Sequence, residues 1–131
     1  MRYLLDTHVL LWFLLGEEKR FSPQSIALLL DAKNSLYFST ASIWEIAIKY
    51  SLQKPEFNYD PKIIVQELTA QGFIELKIDV SHVIGVTKLP KIHQDPFDRL
   101  LICQARQEQM VLLTADKKIL QYSKAYIQDI H

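Results

Sequence analysis

Four carboxylates stand out for where they fall in the chain. Asp6 directly follows the apolar run "RYLL", Asp116 follows "VLLT", Glu45 sits inside "STASIWEIAIK", and Asp98 lies in "HQDPFDRLLICQA". If they meet at one place, their like charges repel and raise one another's pKa values, and a fold that keeps them ionised needs a divalent cation. An all-oxygen donor set selects Mg²⁺ or Mn²⁺ over zinc. Such a centre activates water and offsets negative charge as it builds, which is what phosphodiester hydrolysis requires.

Asp98 gives the sharpest signal. Counting from it, the positions three, four and seven residues on are Leu101, Ile102 and Ala105, so Asp98 shares the core-facing stripe of its helix. A carboxylate on that stripe is costly unless hydrogen bonds or positive charge compensate it. Helix capping alone would need one aspartate, and Asp95 already stands three residues earlier. Taken singly, Asp6 and Asp116 read equally well as helix caps. Glu45 has Lys49 available at i+4, although Ala41, Ile48 and Leu52 on its own face argue for burial.

The elements that must position these groups alternate between strand and helix. Arg2 to Leu5 reads as a strand and Thr7 to Leu15 as a buried helix; Ser22 and Pro23 open a second helix, and Leu36 to Ser39 form the next strand. A helix runs from about Thr40, another from the Asp60 cap and Pro61 to a Gly72 stop, and "FIELKI" is the third strand. A short helix from about Val80 leads into a loop containing Pro90. A helix from Phe97, the strand "MVLLT", a last helix from Lys117 and a terminal strand at "AYIQDI" complete the pattern. Such alternation predicts an α/β fold, a mainly parallel sheet covered by helices on both faces. In these sheets sites form beyond the carboxyl ends of the strands, and all four acids fall there.

Composition sets the class. A chain of 131 residues with 49% hydrophobic residues suits one domain, 1–131, with a packed core, and no repeat or linker divides it. Its three glycines supply no phosphate-cradling loop. "VLLWFLL" is far shorter than the roughly 20 residues that span a bilayer, so no membrane segment is expected. Asp6 and His8 interrupt the N-terminal apolar run, and no small-residue cleavage site follows, as a signal peptide would require. The single cysteine, Cys103, reads as a small core residue in a reducing, cytoplasmic setting. Fifteen basic residues balance fifteen acidic ones, yet committing four carboxylates to a cation leaves a surplus of four positive charges for a phosphate-bearing substrate.

"LLDTHVLLW", "STASIWEIAIK", "HQDPFDRLLICQA" and "LLTAD", in this order and spacing, resemble PIN-domain proteins, in particular the VapC-type ribonuclease toxins of toxin-antitoxin pairs. The resemblance spans nearly the whole chain. It implies a three-layer α/β/α fold, an acidic pocket for Mg²⁺ (Mn²⁺ substituting), hydrolysis of RNA by a metal-activated water, a cognate antitoxin and a homodimer. The family's three core acids match Asp6, Glu45 and Asp98, and its more variable fourth matches Asp116. Thr7, Ser42 and Thr114 match hydroxyl positions that line the same pocket, and His93 and Asp95 belong to an "HxDPFDR" subgroup pattern. The chain departs from the family after Glu45, where "SLQKPEF" replaces a Gly-Lys-Leu-like turn; that puts local substrate or antitoxin contacts in question, not the acids.

Other residues have plainer expected roles. His8 is expected to be a core histidine, and Trp12, Phe13 and Trp44 core or dimer surface rather than a base-stacking platform. His93, Arg99 and Lys117, with Lys88, Lys91 and Lys118, are the candidate RNA-facing rim. "VLLWFLL" and "SIALLLDA" carry more apolar surface than one sheet face covers, which predicts a homodimer. Two other function classes compete: a PIN-like RNA- or protein-binding module without turnover, and a phosphotransfer domain with Asp6 as acceptor. His8 stands where a haloacid dehalogenase-like phosphatase carries its second aspartate, and the acidic pair of a receiver is missing.

Overall fold

Short apolar segments bounded by capping residues become strands separated by pairs of helices, with only a 3₁₀ turn before the last strand, in the computed structural model, which describes residues Met1–His131. The strands are β1 (Arg2–Leu5), β2 (Ser35–Ser39), β3 (Ile74–Leu76), β4 (Val111–Thr114) and β5 (Ile127–Asp129). They form one parallel sheet in the order β3-β2-β1-β4-β5. The helices are α1 (Thr7–Leu14), α2 (Pro23–Leu30), α3 (Thr40–Ser51), α4 (Pro61–Ala70), α5 (Val80–Gly85) and α6 (Pro96–Glu108).

The strand period of two divides the core into two layers. In β1, Tyr3 and Leu5 face one side, where they pack with Val9, Leu10 and Leu11 of α1, Leu29 of α2, Ile46 of α3 and Ile64 and Leu68 of α4. Leu4 faces the other side and packs with Leu101, Ile102, Cys103 and Ala105 of α6. Helices therefore cover both faces of the sheet, giving three α/β/α layers. Burial pushes the Cys103 thiol up, which keeps it protonated and inert.

Local chemistry sets most helix starts. Ser22 accepts from the Ser25 amide at 3.1 Å ahead of Pro23, and Asp60 accepts from the Lys62 amide at 2.9 Å ahead of Pro61. α6 begins at Pro96, and its cap is Asp95, which accepts from the Asp98 amide at 3.0 Å. Asp98 is thereby freed from capping.

Two expectations change. The last helix, expected from Lys117, is only a 3₁₀ turn over Ile119–Gln121, because one Asp116 oxygen accepts from both the Lys118 and Ile119 amides and closes the turn locally. The surplus apolar surface expected on α1 and α2 is covered only in part: Trp12, Phe13, Leu14 and Leu28 pack against the first core layer, while Leu15 and Leu30 stay exposed. Further apolar side chains are left in water at Trp44 and Ile48 on α3 and Leu52 at its end, at Ile63 on α4, and at Ile74, Ile78, Val80, Val83 and Ile84 from β3 to α5. No helix is long and apolar enough to cross a membrane.

Candidate metal centre

Strand order reverses direction at β1, whose neighbours β2 and β4 lead to opposite halves of the sheet. A crevice opens beyond the carboxyl ends of strands at such a switch point. Asp6 follows β1 and Asp116 follows β4, so both stand at its mouth, and the Asp6 amide donates to the Leu113 carbonyl at 3.1 Å, extending the β1–β4 pairing to the acid itself. α3 brings Glu45 and α6 brings Asp98.

The capping and site roles of these acids prove to be compatible, because different oxygens serve them. One oxygen of Asp6 caps α1 by accepting from the Val9 amide at 3.0 Å, and the other accepts from the Thr114 hydroxyl. Asp116 closes its turn with Oδ1, while Oδ2 lies 3.5 Å from His93 Nε2. Glu45 accepts from the Thr7 hydroxyl at 2.8 Å through Oε1, and its Oε2 lies 3.6 Å from Lys49 Nζ. With the Thr7 proton on Glu45, Ser42 Oγ, 3.0 Å from the Thr7 hydroxyl oxygen, is placed to donate to it. The three expected hydroxyl residues thus stand around the acids: Thr7 touches Glu45 and Ser42, and Thr114 touches Asp6.

Asp98 feels all the others. Burial pushes its carboxyl up to about 8, and Asp95, Asp6, Glu45 and Asp116 each add repulsion. Asp6, only 4% exposed, is also raised, by burial first, with Asp116 adding repulsion and Thr114, the Val9 amide and His8 opposing it. Lys49 is the only lysine or arginine in ion-pair contact with the four acids. His93, Asp98 and Asp116 bring one ligand atom each within 4.8 Å of one another, a group that does not include Asp6 or Glu45. His93 Nε2 is buried 2.9 Å from Asp98 Oδ2, yet no acceptor lies along its N–H direction. Buried oxygens with raised pKa values and little cationic compensation are a donor set that a hard divalent cation fits.

Residues 3–125 match the family model for the PIN domain. The chain belongs to the PIN domain family. PIN domains are generally nucleases that use divalent metals. The PIN chain is similar in fold to VapBC2 of Rickettsia felis, solved bound to a DNA fragment from its promoter, with 14% identity, TM-score 0.71 and 98% of each chain covered. It is also similar to VapBC-1 of nontypeable Haemophilus influenzae, with 19% identity, TM-score 0.63 and 98% of each chain covered. FitAcB of Neisseria gonorrhoeae is a more distant likeness, with 15% identity, TM-score 0.53, and coverage of 98% of this chain and 96% of that one. Among curated proteins, none matches the sequence.

Several residues take roles other than those expected. Arg99 is not part of an open rim: Nη1 donates to the carbonyls of Pro90 and His93, both at 3.1 Å, and Nη2 to Val86 at 2.9 Å. Lys88, Lys91, Lys117 and Lys118 are exposed, as a rim requires. His8 is exposed rather than in the core, because Thr7, Val9, Leu10 and Leu11 supply the buried face of α1. Of the two places expected for Trp44, core or dimer surface, its 59% exposure and edge-on stacking against Phe97 at 5.0 Å put it on the surface. Tyr122 went unrecognised: its hydroxyl accepts from the His93 amide and donates to the Pro90 carbonyl, each at 2.9 Å. Nothing in the surrounding "LQYSK" signals that contact.

Proposed function

We propose that this PIN chain is a cytoplasmic, Mg²⁺-dependent endoribonuclease, with Mn²⁺ able to substitute, and that it serves as the toxin of a toxin-antitoxin pair and forms a homodimer. The observation that carries the reading is the convergence of Asp6, Glu45, Asp98 and Asp116 at the switch point, with Asp98 held up to about 8 by burial and by its acidic neighbours. Likeness in fold to two VapBC proteins and the four motifs similar to VapC-type toxins support the toxin role.

Asp6, Glu45 and Asp98 would hold the principal ion, with Asp116 completing a second-ion or water-positioning site. The ion supplies activation of water and compensation for charge building on phosphorus and on the leaving oxygen. The chain's own part is orientation. Thr114 and the Val9 amide fix the two oxygens of Asp6, Thr7 aims Glu45, and Asp116 is anchored through the turn after β4. Pre-set oxygens require little reorganisation when substrate arrives. Lys117 and Lys118, on the turn next to Asp116, are placed to meet the substrate backbone. A single-stranded or looped RNA segment suits an acid set recessed beyond the strand ends.

The deciding experiment measures RNA cleavage with Mg²⁺, Mn²⁺ or chelator, alongside melting temperature, on the wild type and on Asp6→Ala, Glu45→Ala and Asp98→Ala. Cleavage should require the ion and fall by at least about 10²-fold in each variant while the fold persists. Expressed without its antitoxin, the wild type should arrest growth and the three variants should not. Cleavage that survives in Asp98→Ala, or inactivity explained by unfolding, would overturn the assignment.

A further inference from the structure

We propose that Arg99 and Tyr122 are positioning residues for the acidic pocket. Together they lock the Val86–His93 connection so that His93 turns an Nε2–H, a hydrogen-bond donor, towards the pocket, and not a lone pair towards a cation. The cation in this statement rests on the function proposed above; the lock itself does not.

The argument runs from the backbone inward. Between the 3₁₀ turn ending at Lys88 and the start of α6 at Pro96 there is no regular structure, so the carbonyls of that connection lack regular partners. One guanidinium serves two of them, Pro90 and His93, and reaches back to the Val86 carbonyl, which also accepts from the Leu89 amide at 3.3 Å, using the fixed fork of Arg99. Arg99 stands in the first turn of α6, one residue after Asp98, so the clamp and the acid share a rigid support. Tyr122, buried at 6% exposure, closes the other side: its hydroxyl bridges the His93 amide and the Pro90 carbonyl. Both groups flanking the His93 side chain on the main chain, its amide and its carbonyl, are therefore held.

The ring is then fixed from a third direction. The Asp95 amide donates to His93 Nδ1 at 3.2 Å, which requires a lone pair on Nδ1 and leaves the proton of a neutral ring on Nε2. That nitrogen lies 2.9 Å from Asp98 Oδ2 and 3.5 Å from Asp116 Oδ2. Cation ligation through Nε2 would move the proton to Nδ1, where it would face the Asp95 N–H, donor against donor. Although His93, Asp98 and Asp116 come close enough to suggest a mixed nitrogen and oxygen site, the tautomer excludes the nitrogen. His93 Nε2–H instead stands beside the Asp98 carboxylate without an aligned acceptor, which leaves it to donate to an oxygen that enters the pocket.

The test is long-range proton–nitrogen NMR of the histidine rings in nitrogen-15-labelled protein, with His93→Gln identifying the signal among four histidines. His93 should show the Nε2–H tautomer without metal and keep it when Mg²⁺ is added. In Tyr122→Phe and Arg99→Ala its two nitrogens should move towards averaged shifts, while the other three histidines and the melting curve show the fold intact. Mg²⁺ affinity by calorimetry should fall about 10-fold in Arg99→Ala although every carboxylate remains. An Nδ1–H tautomer in the wild type, a switch to it on adding Mg²⁺, an unchanged His93 signal in both variants, or unchanged Mg²⁺ affinity in Arg99→Ala would each overturn the proposal. A wild type that binds no Mg²⁺ would defeat the proposed function, and the tautomer comparison alone would then decide the lock. Should Arg99→Ala unfold, Tyr122→Phe, which deletes one oxygen, still decides it.

Discussion

An acid that ionises at about 8 in the folded chain, against 3.8 for a free aspartate, ties stability to pH with a definite sign. Between those values the unfolded chain has released the Asp98 proton and the folded chain has kept it, so stability falls as pH rises. The contribution is complete below the unfolded value and lost as pH passes through the folded one. We expect the melting temperature of metal-free protein to fall between pH 5 and pH 8 and the slope to flatten in Asp98→Asn, measured by calorimetry in chelator. A slope of opposite sign at this residue would contradict the burial and crowding described for Asp98. The sequence exposed this residue because Asp98 shares a stripe with Leu101, Ile102 and Ala105. It hid Arg99, whose long side chain folds back on carbonyls up to thirteen residues away, a contact no helical spacing encodes.

At the scale of elements, capping and site chemistry are divided between Asp95 and Asp98 on one helix turn. Asp95→Ala should cost about 0.5–2 kcal/mol by removing the α6 cap, measured by urea unfolding. Asp95→Asn keeps an acceptor for the Asp98 amide and removes one source of repulsion, so its stability at pH 7 should equal or exceed the wild type. Equal losses in the two variants would mean that the charge, not the cap, matters. Boundaries with such chemical punctuation are legible in the sequence at Ser22 with Pro23 and Asp60 with Pro61, while α6 starts at Pro96, one residue before the Phe97 expected. The segment after Asp116 is not legible in this way, because two lysines followed by apolar residues look like a helix start. Only the closed aspartate turn shows why it stops after one 3₁₀ turn.

For the whole molecule, the strand alternation that made the layers legible also says which apolar surface remains. Sequence pattern placed the excess on α1 and α2, where Leu15 and Leu30 do remain exposed, but a helix pattern does not reveal how much of the rest neighbouring sheet and helix will cover. Two groups of uncovered residues differ in their relation to the acids. Trp44 directly precedes Glu45, and its stacking partner Phe97 directly precedes Asp98, so anything seated on that face stands at the pocket mouth. The second group, Ile74, Ile78, Val80, Val83 and Ile84, follows β3, the edge strand two positions from β1, and α5. α5 packs on the far half of α6 from Asp98: His82 Nε2 lies 2.8 Å from Glu108, and Gln107 donates to the Ser81 carbonyl at 2.9 Å. An open edge strand beside an apolar helix favours self-association, and pairing there leaves the acids accessible. We therefore expect light scattering to report a dimer at micromolar concentration, and Ile84→Asp to shift it to monomer while Mn²⁺ still raises the melting temperature. At about 100-fold excess over its dissociation constant, that ion should stabilise the fold by about 2.7 kcal/mol in both states. A wild-type monomer would refute the dimer, and loss of the Mn²⁺ effect in Ile84→Asp would show that this edge is not independent of the acidic pocket.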